Sequence, residues 1–192
     1  MNSDQIIKKI CHVVVIILAV KFLFSMGTFD SVTYKGTGYT INFPTGWKTT
    51  KEELVDIGIY FTSVEDKDVV TFYPEGALNP ESGQPETHMT IVSGKLASPA
   101  WIQDLWPDIV KAIIDSKVRI IDKGEIKING QISKWVLFLE NETKKWRLEF
   151  YACDEKNGFM KIIFAANQQE FKEYRKAFED SKETFMFKAG LF

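Results

Sequence analysis

The chain has 192 residues, with 24 basic and 26 acidic side chains and a net charge of −2. That mildly acidic balance argues against nucleic acid as a partner and against adhesion to anionic lipid by bulk charge. Cys11 and Cys153 are the only cysteines, which excludes a scaffold of several disulfides and leaves packing to supply the stability.

The N-terminal stretch opens with Lys8 and Lys9 and continues as an apolar run from Ile10 to Met26, with Lys21 inside it. Seventeen residues is the lower edge of the roughly 17–25 that a helix needs to cross a hydrocarbon core. Ile10, Val13, Ile17, Val20 and Phe24 are the expected anchor residues. Positive charge at the start places the N-terminus in the cytoplasm and the remainder in the periplasm, the lumen or outside. A cleaved signal peptide ending after Gly27 and a buried helix of a soluble protein are the alternatives. Residues 1–27 therefore read as membrane anchor or signal segment, and residues 28–192 as one domain. Roughly 165 residues suffice for a single core. Those residues carry 21 basic and 25 acidic groups, so the domain is a little more acidic than the whole.

Tyr39 to Phe43 alternates like a half-buried strand and stops at Pro44-Thr45-Gly46, with Trp47 directly after. A second strand is expected over Val69–Tyr73, closed by Pro74. From Pro74 to Pro85 the sequence PEGALNPESGQP is too rich in proline and glycine for regular structure and long by loop standards. A strand pattern resumes at His88–Val92. Ser98-Pro99 makes a helix opening, with Ser98 as N-cap and Pro99 in the first turn. Two columns at four-residue spacing follow: Trp101, Leu105, Ile109, Ile113 and Ile102, Trp106, Val110, Ile114. They predict a helix lying on a sheet, with both tryptophans in the core, and Pro107 bends or divides it.

Next comes an antiparallel meander. Glu125–Ile128 and Gln131–Glu140 are joined by Asn129-Gly130, a strong hairpin signal. Trp135, Leu137 and Leu139 alternate, as do Trp146, Leu148 and Phe150, and Asn157-Gly158 turns the chain into Phe159–Ala166. This pattern predicts a sheet with one strongly buried face. Asn167 and Glu170 resemble a capping box before a helical stripe of Phe171, Tyr174 and Phe178, and Thr184–Lys188 is a short terminal strand returning to the sheet. The fold class is α+β: a central antiparallel sheet flanked by helices.

The motif Tyr39-Thr40-Ile41-Asn42-Phe43-Pro44-Thr45-Gly46-Trp47 and the closing run Phe171, Tyr174, Phe178, Ser181, Thr184-Phe185-Met186-Phe187 resemble the two ends of the PsbP family. Its non-photosynthetic bacterial relatives are included in the likeness, which spans about residues 31–188. The resemblance implies an α-β-α sandwich and an accessory or assembly role at a membrane complex rather than catalysis. A eukaryotic relative of that fold binds a small GTPase in nuclear transport. This chain departs from the photosynthetic subunit in having its anchor directly before the domain, with no long flexible arm.

The inventory for chemistry is thin. His88 is the only histidine beyond residue 27 and reads as a surface or edge-strand residue, with no elbow serine or cysteine partner beside it. Cys153 reads as a small packed residue. Glu65-Asp66-Lys67-Asp68 lacks the ligand spacing of a calcium loop and reads as an exposed turn. Glu52-Glu53 fits the first turn of a short helix. Asn141-Glu142-Thr143 is a glycosylation sequon with meaning only in a eukaryotic secretory setting. No catalytic residue, metal ligand or cofactor is assigned.

The interface candidate is the proline-rich loop, through Pro74, Glu75, Leu78, Pro80 and Pro85, because proline limits the entropy lost on binding. The expected function is a noncatalytic, membrane-tethered accessory subunit or assembly factor whose partner is a membrane protein complex. The alternatives are an exported small-ligand or lipid-binding domain, using a cleft near Trp101 and Trp106, and an enzyme with an unrecognised site.

Overall fold

The computed structural model of the chain describes residues 30–51, 64–128, 130–154 and 157–187. The anchor residues Ile10, Val13, Ile17, Val20 and Phe24, the boundary at residue 27, and Glu52-Glu53 lie outside them. Among the described residues, no helix is long and apolar enough to cross a membrane.

The described residues form mostly antiparallel sheet with two helices. A three-stranded sheet has β2 (Tyr39–Pro44) in the middle, between β1 (Ser31–Gly36) and β10 (Met186–Phe187). Gly36 faces Tyr39 across the β1–β2 pair. A Cβ on Gly36 would lie 2.2 Å from the tyrosine ring, so glycine is what lets that ring fold over β1. The terminal strand therefore joins this small sheet, not the meander.

The second sheet has seven strands. They are β3 (Trp47–Thr50), β4 (Val64–Pro74), β5 (His88–Leu96), β6 (Arg119–Ile128), β7 (Gln131–Leu139), β8 (Trp146–Cys153) and β9 (Gly158–Ala166), in the order β3-β4-β5-β9-β8-β7-β6. Every neighbouring pair is antiparallel. Gly130 takes a positive φ of 84° in the β6–β7 hairpin, as the Asn-Gly signal requires. β6 starts six residues before the expected Glu125, at Arg119.

Both faces of this sheet are buried, which corrects the one-sided expectation. On one face Phe150, Ile162, Phe164, Met89 and Ile91 pack with Phe171 and Phe178 of helix α2 (Gln168–Glu183). On the other, Val136, Phe138, Tyr151, Cys153 and Phe159 pack with Ile102, Ile109 and Ile113 of helix α1 (Ile102–Asp115). All nine residues of β9 are buried, as expected of a central strand covered on both sides.

α1 opens three residues later than Ser98-Pro99 indicates. Trp101 is its N-cap, without a side-chain capping bond. β5 holds the chain as far as Leu96, whose N–H donates to Asn157 O at 2.8 Å, so residues 97–101 are spent crossing from strand to helix. The apolar stripe is consequently narrower than expected. Trp101 is 54% exposed and Ile114 57%, while Trp106 is half-buried, edge-on to Tyr151 at 6.0 Å. Pro107 sits inside the helix without ending it. At α2 the Asn167 side chain accepts from Gln169 N and Glu170 N at 3.1 and 3.0 Å, half of a capping box. Glu170 does not close the box but accepts from Thr87 Oγ1 at 2.5 Å, tying the helix start to the sheet.

Candidate functional site

The proline-rich segment forms no regular strand beyond β4, in keeping with its composition, but turns and one isolated bridge hold it together. It extends the β4–β5 hairpin: Asn79 N donates to Gln84 O at 2.9 Å, Gly83 N to Asn79 O at 2.8 Å and Glu86 N to Ala77 O at 2.9 Å. Leu78 and Pro85 bridge as strand partners. The Asn79 side chain accepts from Glu81 N and Ser82 N and donates to Glu86 Oε1. Gly76 and Gly83 supply left-handed backbone, with φ of 84° and 68°. Glu75, Leu78 and Pro80 are exposed on this tip, Pro74 is half-buried, and Pro85 is buried. Pro85 is thus packed at the base of the tip.

Beside the base of that tip lies a cleft of about 470 Å³, within the roughly 300–1,000 Å³ usual for small-ligand sites. It opens where β5 begins (His88), β9 ends (Ala165), β8 begins (Arg147) and β7 ends (Phe138), walled by Glu140–Thr143, Lys145 and the exit from α1, Ser116–Val118. Asn141 donates its side-chain N–H to Lys117 O, which pins the sequon turn against that exit.

His88 is buried at the start of a central strand, which overturns the edge or surface placement. Its Nδ1 lies 3.2 Å from Pro85 O. Burial first, then the charges of Arg147 and Lys145, push its pKa down to about 3, so the ring is neutral at physiological pH. A neutral ring beside a carbonyl carries its proton on Nδ1 and presents Nε2 as an acceptor.

Behind the cleft the charges are paired in a buried chain. Arg147 Nη1 meets Glu140 Oε1 at 3.1 Å and Arg147 Nε meets Glu149 Oε1 at 2.6 Å. Lys161 Nζ reaches the same Glu149 oxygen at 3.1 Å, and Tyr151 OH donates to Glu149 Oε2. Lys161 lies 5.1 Å over the Tyr151 ring, and Arg147 5.9 Å over Phe138. Glu149 and Lys161 have fully buried side chains, a placement that requires such pairing.

The cleft expected near Trp101 and Trp106 is only a hollow of about 210 Å³ lined by Trp101, Ile102, Gly130 and Cys153, among others, but not by Trp106. Cys153 is buried and its thiol is pushed up to about 12 by burial and by Asp154, which makes it a poor nucleophile. Glu65–Asp68 is not a turn: it lies within β4, where the register shifts and Asp66 takes a φ of 50°. Among the described residues no group of three or more His, Cys, Asp or Glu is placed to hold a metal ion.

Cyanobacterial PsbP from Synechocystis sp. PCC 6803 matches this chain with a TM-score of 0.55, covering 85% of this chain and 95% of its own at 13% identity. The fold is PsbP-like. LpqN of Mycobacterium tuberculosis, a protein involved in cell envelope biogenesis, gives a TM-score of 0.54 over 81% of this chain and 89% of its own, at 11% identity. No protein-family model matches the chain, and no curated protein matches it by sequence. At such identities the likeness speaks for the PsbP-like architecture alone and carries over no site residue. The cleft is therefore a reading of this chain's own side chains. Its signals in the sequence were weak: one histidine at a strand start, and Arg147 and Glu149 at alternate positions that mimic a wet face.

Proposed function

We propose that this chain is a noncatalytic, membrane-tethered accessory subunit or assembly factor of a membrane protein complex, with its PsbP-like domain on the extracytoplasmic side. The observation that carries this reading is the β4–β5 tip. Its backbone is held by its own ladder, so little order remains to be gained on docking, and it leaves Leu78 and Pro80 exposed. The basic start and apolar run of residues 8–26 support tethering, and the low basicity of His88 and the raised pKa of the buried Cys153 thiol suit neither to acid–base or nucleophilic work.

The test is purification of the native protein from membranes in mild detergent, with intact mass. A stoichiometric membrane complex together with the full-length mass is expected, and Leu78→Asp should release that complex while leaving the melting temperature unchanged. Repeated recovery as a lone chain, or a mass beginning near Thr28, would overturn the proposal.

A further inference from the structure

The walls of the large cleft hold complementary polar groups over an apolar floor. Phe138, Val118 and Ala165 contribute apolar surface, while Glu140, Asn141, Glu142 and Thr143 make one side polar. Thr143 Oγ1 there donates to Glu140 Oε2 and accepts from Lys145 N, and Asn141 donates to Lys117 O, which leaves Asn141 Oδ1 and the Glu142 carboxylate as acceptors. Counting the ion chain behind it, Lys117, Lys145, Arg147 and Lys161 face Glu140, Glu142 and Glu149, an excess of one positive charge. A single excess charge matches a monoanion better than a phosphate dianion. Arg147 is taken up by Glu140 and Glu149, so that excess rests on Lys117 and Lys145 in the cleft lining.

His88 adds a directional requirement. Pro85 O accepts only, so Nδ1 is the donor of the pair, and Nε2 is left as a lone-pair acceptor on a cleft-lining ring. The low pKa keeps that lone pair available even in acid. Such a site asks for a hydroxyl or amine hydrogen beside an acidic group. The acceptors left on that wall, Asn141 Oδ1 and the Glu142 carboxylate, ask for more hydroxyls, and Phe138 offers a face on which a ring can rest.

We infer that this cleft binds a polyhydroxylated monocarboxylate of the sugar-acid class, its carboxylate toward Lys145 and one hydroxyl donating to His88 Nε2. Nothing in this assignment depends on a membrane partner or on the exposed residues Leu78 and Pro80.

Titration calorimetry on the full-length protein in mild detergent tests it, with D-glucuronate as probe. D-glucose removes the carboxylate, and cyclohexanecarboxylate keeps ring and charge while removing the hydroxyls. Saturable heat is expected with glucuronate, and affinity at least about tenfold weaker for each of the other two. Lys145→Gln, on a half-exposed turn, should weaken glucuronate by about tenfold with an unchanged melting temperature. His88→Phe should do the same, and where that variant does not fold, Lys145→Gln decides. No saturable heat with glucuronate, equal binding of glucose or cyclohexanecarboxylate, or full affinity in Lys145→Gln would overturn the inference.

Discussion

The two faces of the seven-stranded sheet solve the same burial problem in opposite ways. Under α2 the interface is mainly aromatic, with Phe164 and Phe178 rings 4.7 Å apart, Phe171 and Phe178 6.0 Å apart, Trp47 edge-on to Phe178 at 6.1 Å, and Lys182 Nζ 5.3 Å over the Phe150 ring. On the α1 face the same strands bury Arg147, Glu149 and Lys161 as a bonded chain among Phe138 and Tyr151. Taking charges out of water costs several kcal/mol each even when they are paired. The aromatic face therefore carries net stability, whereas the charged face trades stability for a polar wall at the end of the sheet, where the cleft lies.

The sharpest way to break this comparison is to damage each face once. Phe178→Ala should cost about 3–5 kcal/mol through lost burial and a cavity. Lys161→Ala should cost a similar amount, about 3–5 kcal/mol, for a different reason: Arg147 alone is then left to balance Glu140 and Glu149, one acid in excess. Urea unfolding measures both, and rescue separates them. Arg147→Met, Glu140→Gln, Glu149→Leu, Tyr151→Phe and Lys161→Met combined should regain most of the loss, because neither a charge nor the Tyr151 hydroxyl is then stranded. If Lys161→Ala costs under about 1 kcal/mol, the ion chain is wet and the contrast between the faces fails.

The same contrast explains what was legible in the sequence. The aromatic face was readable because Trp146, Leu148 and Phe150, and Met160, Ile162 and Phe164, fall at period two and no other arrangement buries them. Arg147 and Glu149 occupy the intervening positions, and charge at period two is the ordinary mark of a solvated strand face. Only tertiary pairing with Lys161 and Glu140 from other positions brings them inside, and no local pattern records that pairing. The cleft was missed for the same reason, since its residues come from the ends of four strands, one helix exit and one turn. β6 was shortened because Arg119–Gly124 mixes charges with a register shift between Ile120 and Asp122, which spoils the alternation.

His88 sharpens the comparison through pH, with an effect intermediate in size. Its folded pKa lies near 3, below the ordinary value of 6.5. Between those values the unfolded chain binds a proton that the folded chain refuses, so stability rises with pH across the window and is fully present above it. Lowering the pH from 6.5 should therefore cost up to about 1.4 kcal/mol per pH unit from this residue. Urea midpoints of wild type and His88→Phe, taken between pH 4.5 and 7.5, should diverge toward acid, with the flatter profile in the variant. Parallel profiles would place His88 in contact with solvent.

The smallest effect probes one of the polar atoms that the α2-side core leaves without a partner. Tyr39 is 1% exposed and stacks on Phe185 at 5.6 Å, yet its hydroxyl finds no hydrogen-bond partner among the described residues. Burial raises its pKa, with Tyr34 and Asp68 adding to the shift, so the group stays protonated and keeps a donor to satisfy. An unmet buried donor costs about 1–3 kcal/mol, and removing it without changing shape recovers part of that. Tyr39→Phe should then stabilise the domain by about 1 kcal/mol, read as a higher urea midpoint with an unchanged slope. The opposite result, a loss of that size, would mean that the hydroxyl is bonded in solution. Polar groups would then be paired on both faces, and the division between an apolar and a charged side would reduce to a difference in the number of charges.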